Sequence, residues 1–208
     1  MIVISHRGYW LDESEKNTQT AFKRSFDRGF GTETDVRDRA GRLVISHDMP
    51  TGSELMLESF LSTAAVTHPL LAINIKSDGL ADLLGEGMRG YDRDNWFAFD
   101  MSVPDMRAHL QAGNPVFARM SEVEREPAWY SRVDGIWLDS FEQTWFDHAL
   151  IEHLLDQGKR VCVVSSELHG RDPAALWRML LPLADSGRLI LCTDWPERAQ
   201  AFFKEQDA

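Results

Sequence analysis

The residues of this chain whose types and spacing can do chemistry lie mostly in its first eighty positions: His6, Arg7, Glu33, Asp35, His47, Asn74 and Lys76. Glu33 and Asp35 are two apart in a strand-like run, and strand residues two apart share a face, so both carboxylates enter one space. Carboxylates so placed repel unless a cation or a proton lies between them. A hard divalent ion with oxygen ligands is the economical answer. The same period of two puts the Asn74 amide and the Lys76 ammonium on one face. His6-Arg7 closes the first strand-like run and His47-Asp48 ends a hairpin. Two imidazoles, a guanidinium, an ammonium and a carboxylate-held ion suit attack on a phosphodiester. Cations neutralise the nonbridging oxygens, and imidazoles move protons at the entering and leaving oxygens.

Elements of regular alternation must position these groups. Short apolar runs at 2–6, 31–37, 43–46, 70–76, 95–100, 115–120, 135–141, 160–165 and 188–194 read as strands. Helical patterns fill the intervals. Asn17 is expected to cap a helix with Ala21, Phe22 and Phe26 inward and Gly29 as its stop. A second helix is expected over 146–157 with Gly158 as its stop, and a third from Asp172-Pro173 through Leu183. The segment 37–42 reads as a turn, so 31–37 and 43–46 form a hairpin that counts as one sheet position. Eight β/α units remain, which argues for a parallel sheet. A barrel and a doubly wound open sheet both alternate in this way. No Gly-x-Gly-x-x-Gly or P-loop follows a strand.

Composition bounds the function. The chain has 208 residues, 43% hydrophobic and 26% charged, an ordinary globular balance that suits one domain over 1–208 and a barrel only with short connections. Thirty-three acidic residues against 22 Lys and Arg give a net charge of −11, which disfavours nucleic acid and anionic lipid as partners. A locally positive site for an anionic substrate remains compatible with that charge. Cys162 and Cys192 lie in apolar runs and read as buried free thiols. The first residues read as a strand rather than a cleavable signal, and no twenty-residue apolar span follows, so a cytoplasmic setting without stable membrane association is expected.

In order along the chain stand His6-Arg7-Gly8, Asn17-Thr18 followed by Ala21-Phe22, Glu33-x-Asp35-Val36 and Val44 through His47-Asp48. Ile73-Asn74-Ile75-Lys76 and, near the end, Thr193-Asp194-Trp195-Pro196 complete the series. With these landmarks the chain resembles the glycerophosphodiester phosphodiesterase family, within the phosphoinositide-phospholipase-C-like barrels. The resemblance implies an α/β fold, a single-domain (β/α)₈ TIM-type barrel. It implies His6 and His47 as an acid/base pair, Arg7 and Lys76 on the phosphate, and Glu33 and Asp35 as ligands of one Mg²⁺ or Ca²⁺. The implied activity is metal-dependent hydrolysis of a glycerophosphodiester or sugar-phosphodiester, in lipid metabolism, often through a cyclic phosphate. Three departures stand out. Asn74 occupies a position where the family usually has Glu, which leaves its amide as the third metal ligand. Only 48–67 intervene where the family usually carries an insertion, so the site should be open and able to take a bulkier or polymeric diester. The turn before Gly41 is also one residue short.

Other polar groups fall at strand ends: Asp100, Arg119, Asp139, Glu167 and Asp194. Glu167 is a candidate substitute ligand or substrate-hydroxyl acceptor, and Asp194 either faces the site or caps the last helix. Trp10 is either a stacking wall for substrate or a rim aromatic. His68, His109, His148, His153 and His169 read as surface or packing residues. Two other functions compete. A non-catalytic phosphate-binding barrel would need no acid/base pair. A sugar-phosphate isomerase or aldolase would need a catalytic Lys or carboxylate in the middle strands, where Lys76 is the only barrel-lining lysine.

Overall fold

A computed structural model describes residues 1–204. Its strands and helices in chain order are β1 (Ile2–His6), α1 (Gln19–Asp27), β2 (Gly31–Arg39), β3 (Arg42–Ile45), β4 (Leu55–Met56), α2 (Leu57–Ala64), β5 (Leu71–Ile75) and α3 (Ala81–Gly87). There follow β6 (Trp96–Phe99), α4 (Val103–Ala112), β7 (Phe117–Met120), β8 (Gly135–Leu138), α5 (His148–Asp156), β9 (Arg160–Val164), α6 (Ala174–Leu180), β10 (Leu189–Thr193) and α7 (Pro196–Lys204).

The parallel strands run β6-β5-β2-β1-β10-β9-β8-β7. The ring closes between β6 and β7 at the parallel bridge Ala98 to Val116, where the Ala98 N–H donates to Pro115 O at 2.8 Å. The fold is a TIM-type barrel of eight parallel strands. β3 lies antiparallel on the upper half of β2, and β4 pairs with β3. The hairpin is tighter than the sequence suggests. β2 runs on to Arg39, which faces Arg42, and only Ala40 and Gly41 make the turn, both with positive φ (48° and 78°). That two-residue loop matches the twist of paired strands.

One β/α unit departs from the regular pattern. Among the described residues, no α-helix lies between β7 and β8; the connection 121–134 is a set of turns around a small bridge from Ser121 to Glu124. Pro127 removes a donor in the middle of it, and Val123 lies exposed, so the segment has neither the hydrogen bonds nor the apolar stripe of a helix.

Alternation sorts the side chains into two cores. Ile4, Ala72, Phe97, Phe99, Phe117, Trp137, Cys162, Val164, Ile190 and Cys192 fill the barrel, while Leu71, Ile73, Ile75, Ile136, Leu138, Val161 and Val163 point outward to the helices. Stacked rings close the interior, Phe97 on Phe117 at 3.7 Å and Phe99 on Trp137 at 3.9 Å between centroids. Both cysteines are buried and free. Burial raises both thiols well above their ordinary value, so they are inert packing groups.

The helix starts differ in detail from the sequence reading. Thr18, not Asn17, caps α1, its Oγ1 accepting from the Ala21 N–H, while Gly29 does stand just past its end with φ 79°. Asp147 caps the next expected helix, which begins at His148 and leaves Phe146 as a buried residue ahead of it. α6 tightens into a 3₁₀ turn at Leu181–Leu183 because Pro182 cannot donate the next helical bond. None of the helices among the described residues is long and apolar enough to cross a membrane.

Candidate active site

The period of two that fills the barrel continues upward into a polar layer at the C-terminal ends of the strands, the catalytic face of this architecture. Two residues above Ile4 is His6; two above Cys192 is Asp194; two above Ala72 is Asn74; two above Phe117 is Arg119; two above Trp137 is Asp139. β2 places Glu33 and Asp35 in the same layer. Register sets the neighbours, with His6 beside Glu33 and Asp35 beside Asn74. Beyond β1 the chain turns back through Arg7 (φ 59°) and Gly8 (φ 85°). A Cβ at Gly8 would lie 2.7 Å from the Ala21 Cβ, so only glycine lets this turn pack on the start of α1.

Six of the sequence candidates meet here: His6, Arg7, Glu33, Asp35, Asn74 and Lys76. Asp35 is wholly buried, with Arg7 Nε 2.9 Å from one oxygen and Lys76 Nζ 3.3 Å from the other. Neither approach is aligned as a hydrogen bond: Arg7 Nε and Asp35 Oδ1 are both buried without such a partner. The two cations are thus held at the site by charge, with donors left for an anion. Glu33 accepts from the Arg7 backbone N–H at 3.2 Å. Burial chiefly, and then the Asp35 charge, push its carboxyl up to about 7, against the pull of His6, Arg7 and Lys76.

His6 has a partner that 188 positions of sequence concealed. Its Nδ1 lies 2.8 Å from Asp194 Oδ1. An ionised carboxylate only accepts, so Nδ1 carries the proton, and Nε2 is presented to the site, 4.0 Å from Glu33 Oε2. Asp194 therefore faces the site. Glu167 braces it from behind: its oxygens accept from the Thr193 hydroxyl and the Asp194 N–H at one end and the Ser165 hydroxyl at the other. Both Glu167 oxygens are thus engaged by the protein's own donors.

His47 is not brought into contact with this group. It lies 46% exposed on the loop after β3, its ring bonded to Asp48 at 3.0 Å and its carbonyl accepting from Arg37. Trp10 stands at the rim, donating from its indole to His6 O, with Lys16 Nζ 4.4 Å over its ring.

Three residues take parts in the site that the sequence did not assign them, Asp100 having been read only as a polar strand end. Asn17, expected as a cap, instead has φ 61°, donates to Asp35 Oδ2 at 2.8 Å and accepts from Thr34 at 2.9 Å. Asp100 accepts from the Asn74 amide at 3.2 Å and from Arg119 at 3.2 Å, its pKa raised by burial against the pull of Arg119 and Lys76. His169, in the turn after β9, pairs at 2.8 Å with Asp139 at the end of the neighbouring β8. Asn17 had a readable signal, since Asn tolerates the left-handed region; the other two pairings join residues remote in sequence.

A divalent ion fits the residues present in a restricted way. Among the described residues no cluster of three His, Cys, Asp or Glu is arranged to hold a metal. Yet two buried oxygens of the polar layer, Asp35 Oδ1 and Asn74 Oδ1, lack any hydrogen bond, and they belong to register neighbours. Beside them Glu33 is destabilised as an anion. Two carboxylates and an amide oxygen are a hard-cation donor set.

Against this geometry, no family model matches the chain and no curated protein matches it. Solved structures do. A glycerophosphodiester phosphodiesterase from Agrobacterium tumefaciens aligns at 18% identity and a TM-score of 0.73, over 98% of this chain and 99% of that one. A phosphodiesterase from Oleispira antarctica, solved with its product sn-glycerol-3-phosphate, aligns at 16% identity and 0.69, over 98% and 97%. A Ca²⁺-dependent phosphatidylinositol-specific phospholipase C from Streptomyces antibioticus aligns at 12% and 0.58, over 97% and 95%. At these identities the likeness establishes the fold.

Proposed function

We propose that this barrel is a divalent-metal-dependent phosphodiester hydrolase acting on a glycerophosphodiester or sugar-phosphodiester, polymeric diesters included. The observation that carries the reading is the polar layer itself. One barrel mouth gathers an imidazole fixed by a carboxylate, two cations unaligned with the aspartate they flank, and buried carboxylate and amide oxygens that lack hydrogen bonds. Relatives in fold that cleave phosphodiesters support it.

In this reading Arg7 and Lys76 turn from Asp35 to the nonbridging phosphate oxygens, where the guanidinium fork grips two oxygens at once. Glu33, Asp35 and the Asn74 amide oxygen would hold one Mg²⁺ or Ca²⁺, which when bound supplies Lewis acidity at the phosphate. His6 Nε2 exchanges a proton with an oxygen on phosphorus while Asp194 keeps the ring in one tautomer. His47 is assigned the complementary proton transfer. One imidazole takes the proton of the attacking hydroxyl as the new P–O bond forms; the other protonates the departing alkoxide as the old one breaks. Water as nucleophile gives a phosphomonoester and an alcohol. A neighbouring substrate hydroxyl gives the alcohol and a cyclic phosphate.

The helix-free connection 121–134 gives the substrate room. Together with Asp100, Arg119 and Met106 it lines a cavity of about 510 Å³ beside β7 and α4, on the outer side of the barrel, which Asp100 and Arg119 join to the mouth; it is polar enough for an alcohol bearing hydroxyls. α2 follows β4 directly, and the segment 48–67 holds no other helix or strand.

Turnover of a panel of phosphodiesters, with and without Mg²⁺, Ca²⁺ or Mn²⁺, tests the proposal. Release of an alcohol from a glycerophosphodiester that stops on chelation is the expected result. Binding of phosphate or diester without turnover under any metal would make the protein a phosphate-binding barrel instead.

A further inference from the structure

The amide at position 74 poses a question that a carboxylate would not: which of its two ends faces the carboxylates of β2. The answer lies in β6. By the strand period Phe97 and Phe99 point into the barrel, so Asp100 should point out. It does not. Its φ of 65° turns the chain in the left-handed region, which costs a non-glycine residue free energy, and brings the carboxylate back over the mouth. There Oδ2 lies 3.2 Å from Asn74 Nδ2, and Oδ1 lies 3.2 Å from Arg119 Nη1, while Arg119 Nε is gripped by Glu124 at 2.6 Å. A carboxylate accepts and never donates, so the end of the amide that meets Asp100 must be the NH₂. The oxygen is thereby sent the other way, and it is buried without a hydrogen bond, as is Asp35 Oδ1 beside it.

We propose that Asp100 is a positioning residue that makes Asn74 a metal ligand, by holding its amide so that the oxygen joins Glu33 and Asp35. This rests on the metal reading of the site given above. The negative charge that a carboxylate at position 74 would bring to the ion is set back by one hydrogen bond. The relay from Glu124 through Arg119 to Asp100 keeps the amide from flipping, as outer-shell partners of metal ligands do.

A double-mutant cycle read by calorimetric titration of the full chain with Mg²⁺ and with Ca²⁺ tests it. In D100N the Arg119 donor claims the new amide's oxygen, which leaves its NH₂ facing Asn74 and turns the Asn74 oxygen away from the ion. Metal affinity should fall about 10- to 100-fold, the range for loss of an outer-shell partner. In N74D the two facing carboxylates repel, and there D100N supplies a donor instead. N74D/D100N should therefore bind more tightly than N74D. That reversal of sign is the signature, because simple loss of a nearby negative charge would weaken binding in both backgrounds. Weakening in both, or in neither, overturns the role of Asp100 while leaving the metal site standing. Wild-type protein that binds no divalent ion overturns both. Should D100N fail to fold, wild-type protein carries the test by nitrogen-resolved NMR. The Asn74 side-chain amide proton facing Asp100 should exchange slowly with solvent and stay distinct from its geminal partner, and two fast-exchanging protons would refute the contact.

Discussion

Replacing Glu33 by Gln should stabilise the metal-free protein, and increasingly so as pH rises. Burial and the Asp35 charge move this carboxyl from 4.5 to about 7, so over that window the native state holds a proton that the unfolded chain has released. Stability contributed by the protonated form is complete below the unfolded value and is lost as pH rises through the folded one. A displacement of about 2.5 units corresponds to about 3 kcal/mol, at roughly 1.4 kcal/mol per unit. Most of it, roughly 2–3 kcal/mol, falls between pH 5 and pH 8. Glutamine has the shape of the protonated acid and no charge to lose, so the variant escapes this penalty. For a chain of this size the gain amounts to roughly 5–10 °C in melting temperature at pH 8, shrinking to a small fraction of that at pH 5. The assay is thermal melting of both proteins in chelator across that range, taken as a difference so that titrating groups remote from Glu33 cancel. A difference that stays flat with pH refutes the assignment. Repeating the melts with Mg²⁺ should raise the wild type and leave the Gln variant nearly unmoved.

Turnover on a confirmed substrate should fall at least about 10²-fold in His6→Ala and in His47→Ala. Undiminished turnover in His47→Ala would remove that exposed ring from the mechanism and turn attention to His169. Asp194→Asn should lower turnover about tenfold or more while sparing substrate binding, because it frees the His6 tautomer; equal losses in kcat and in affinity would contradict a role confined to the imidazole. Arg7→Lys should lose most activity, since a point charge does not replace the two-pronged grip on phosphate, and an active Lys variant would dismiss the clamp. Gly31→Ala should destabilise the barrel by roughly 1–3 kcal/mol in urea, its Cβ falling 2.4 Å from Leu70 O and 2.7 Å from the Ile4 side chain.

The barrel was legible because alternation is strong in short parallel strands: each of the nine strand-like runs overlaps an observed strand, and the hairpin lies where the sequence put it. Glu33 with Asp35 was legible for the same reason, as an i, i+2 pair. Groups that pair across the ring were not. His6 meets Asp194 because β1 and β10 are neighbours in a closed sheet, a fact of closure rather than of local pattern. Asn17 misled because a helix cap and a left-handed turn favour the same residue types, and only the neighbouring Thr18 decided between them. Asp100 broke the period on which the reading relied, by a backbone rotation that composition does not encode. The missing helix between β7 and β8 was hidden by the assumption that every strand interval holds one.

These departures converge on one side of the mouth. Where β7 would hand the chain to a helix, 121–134 folds back instead. It brings Glu124 to Arg119, and through Arg119 it anchors Asp100. The residue that Asp100 then meets is Asn74, the register neighbour of Asp35. A carboxylate at that position would face Asp100 across the same 3.2 Å and be repelled by it, whereas an amide is the uncharged side chain that can donate to Asp100 and still offer an oxygen to the other side. The amide, the left-handed aspartate and the helix-free connection are therefore best understood as one arrangement. Each supplies the hydrogen-bond partner that the next requires.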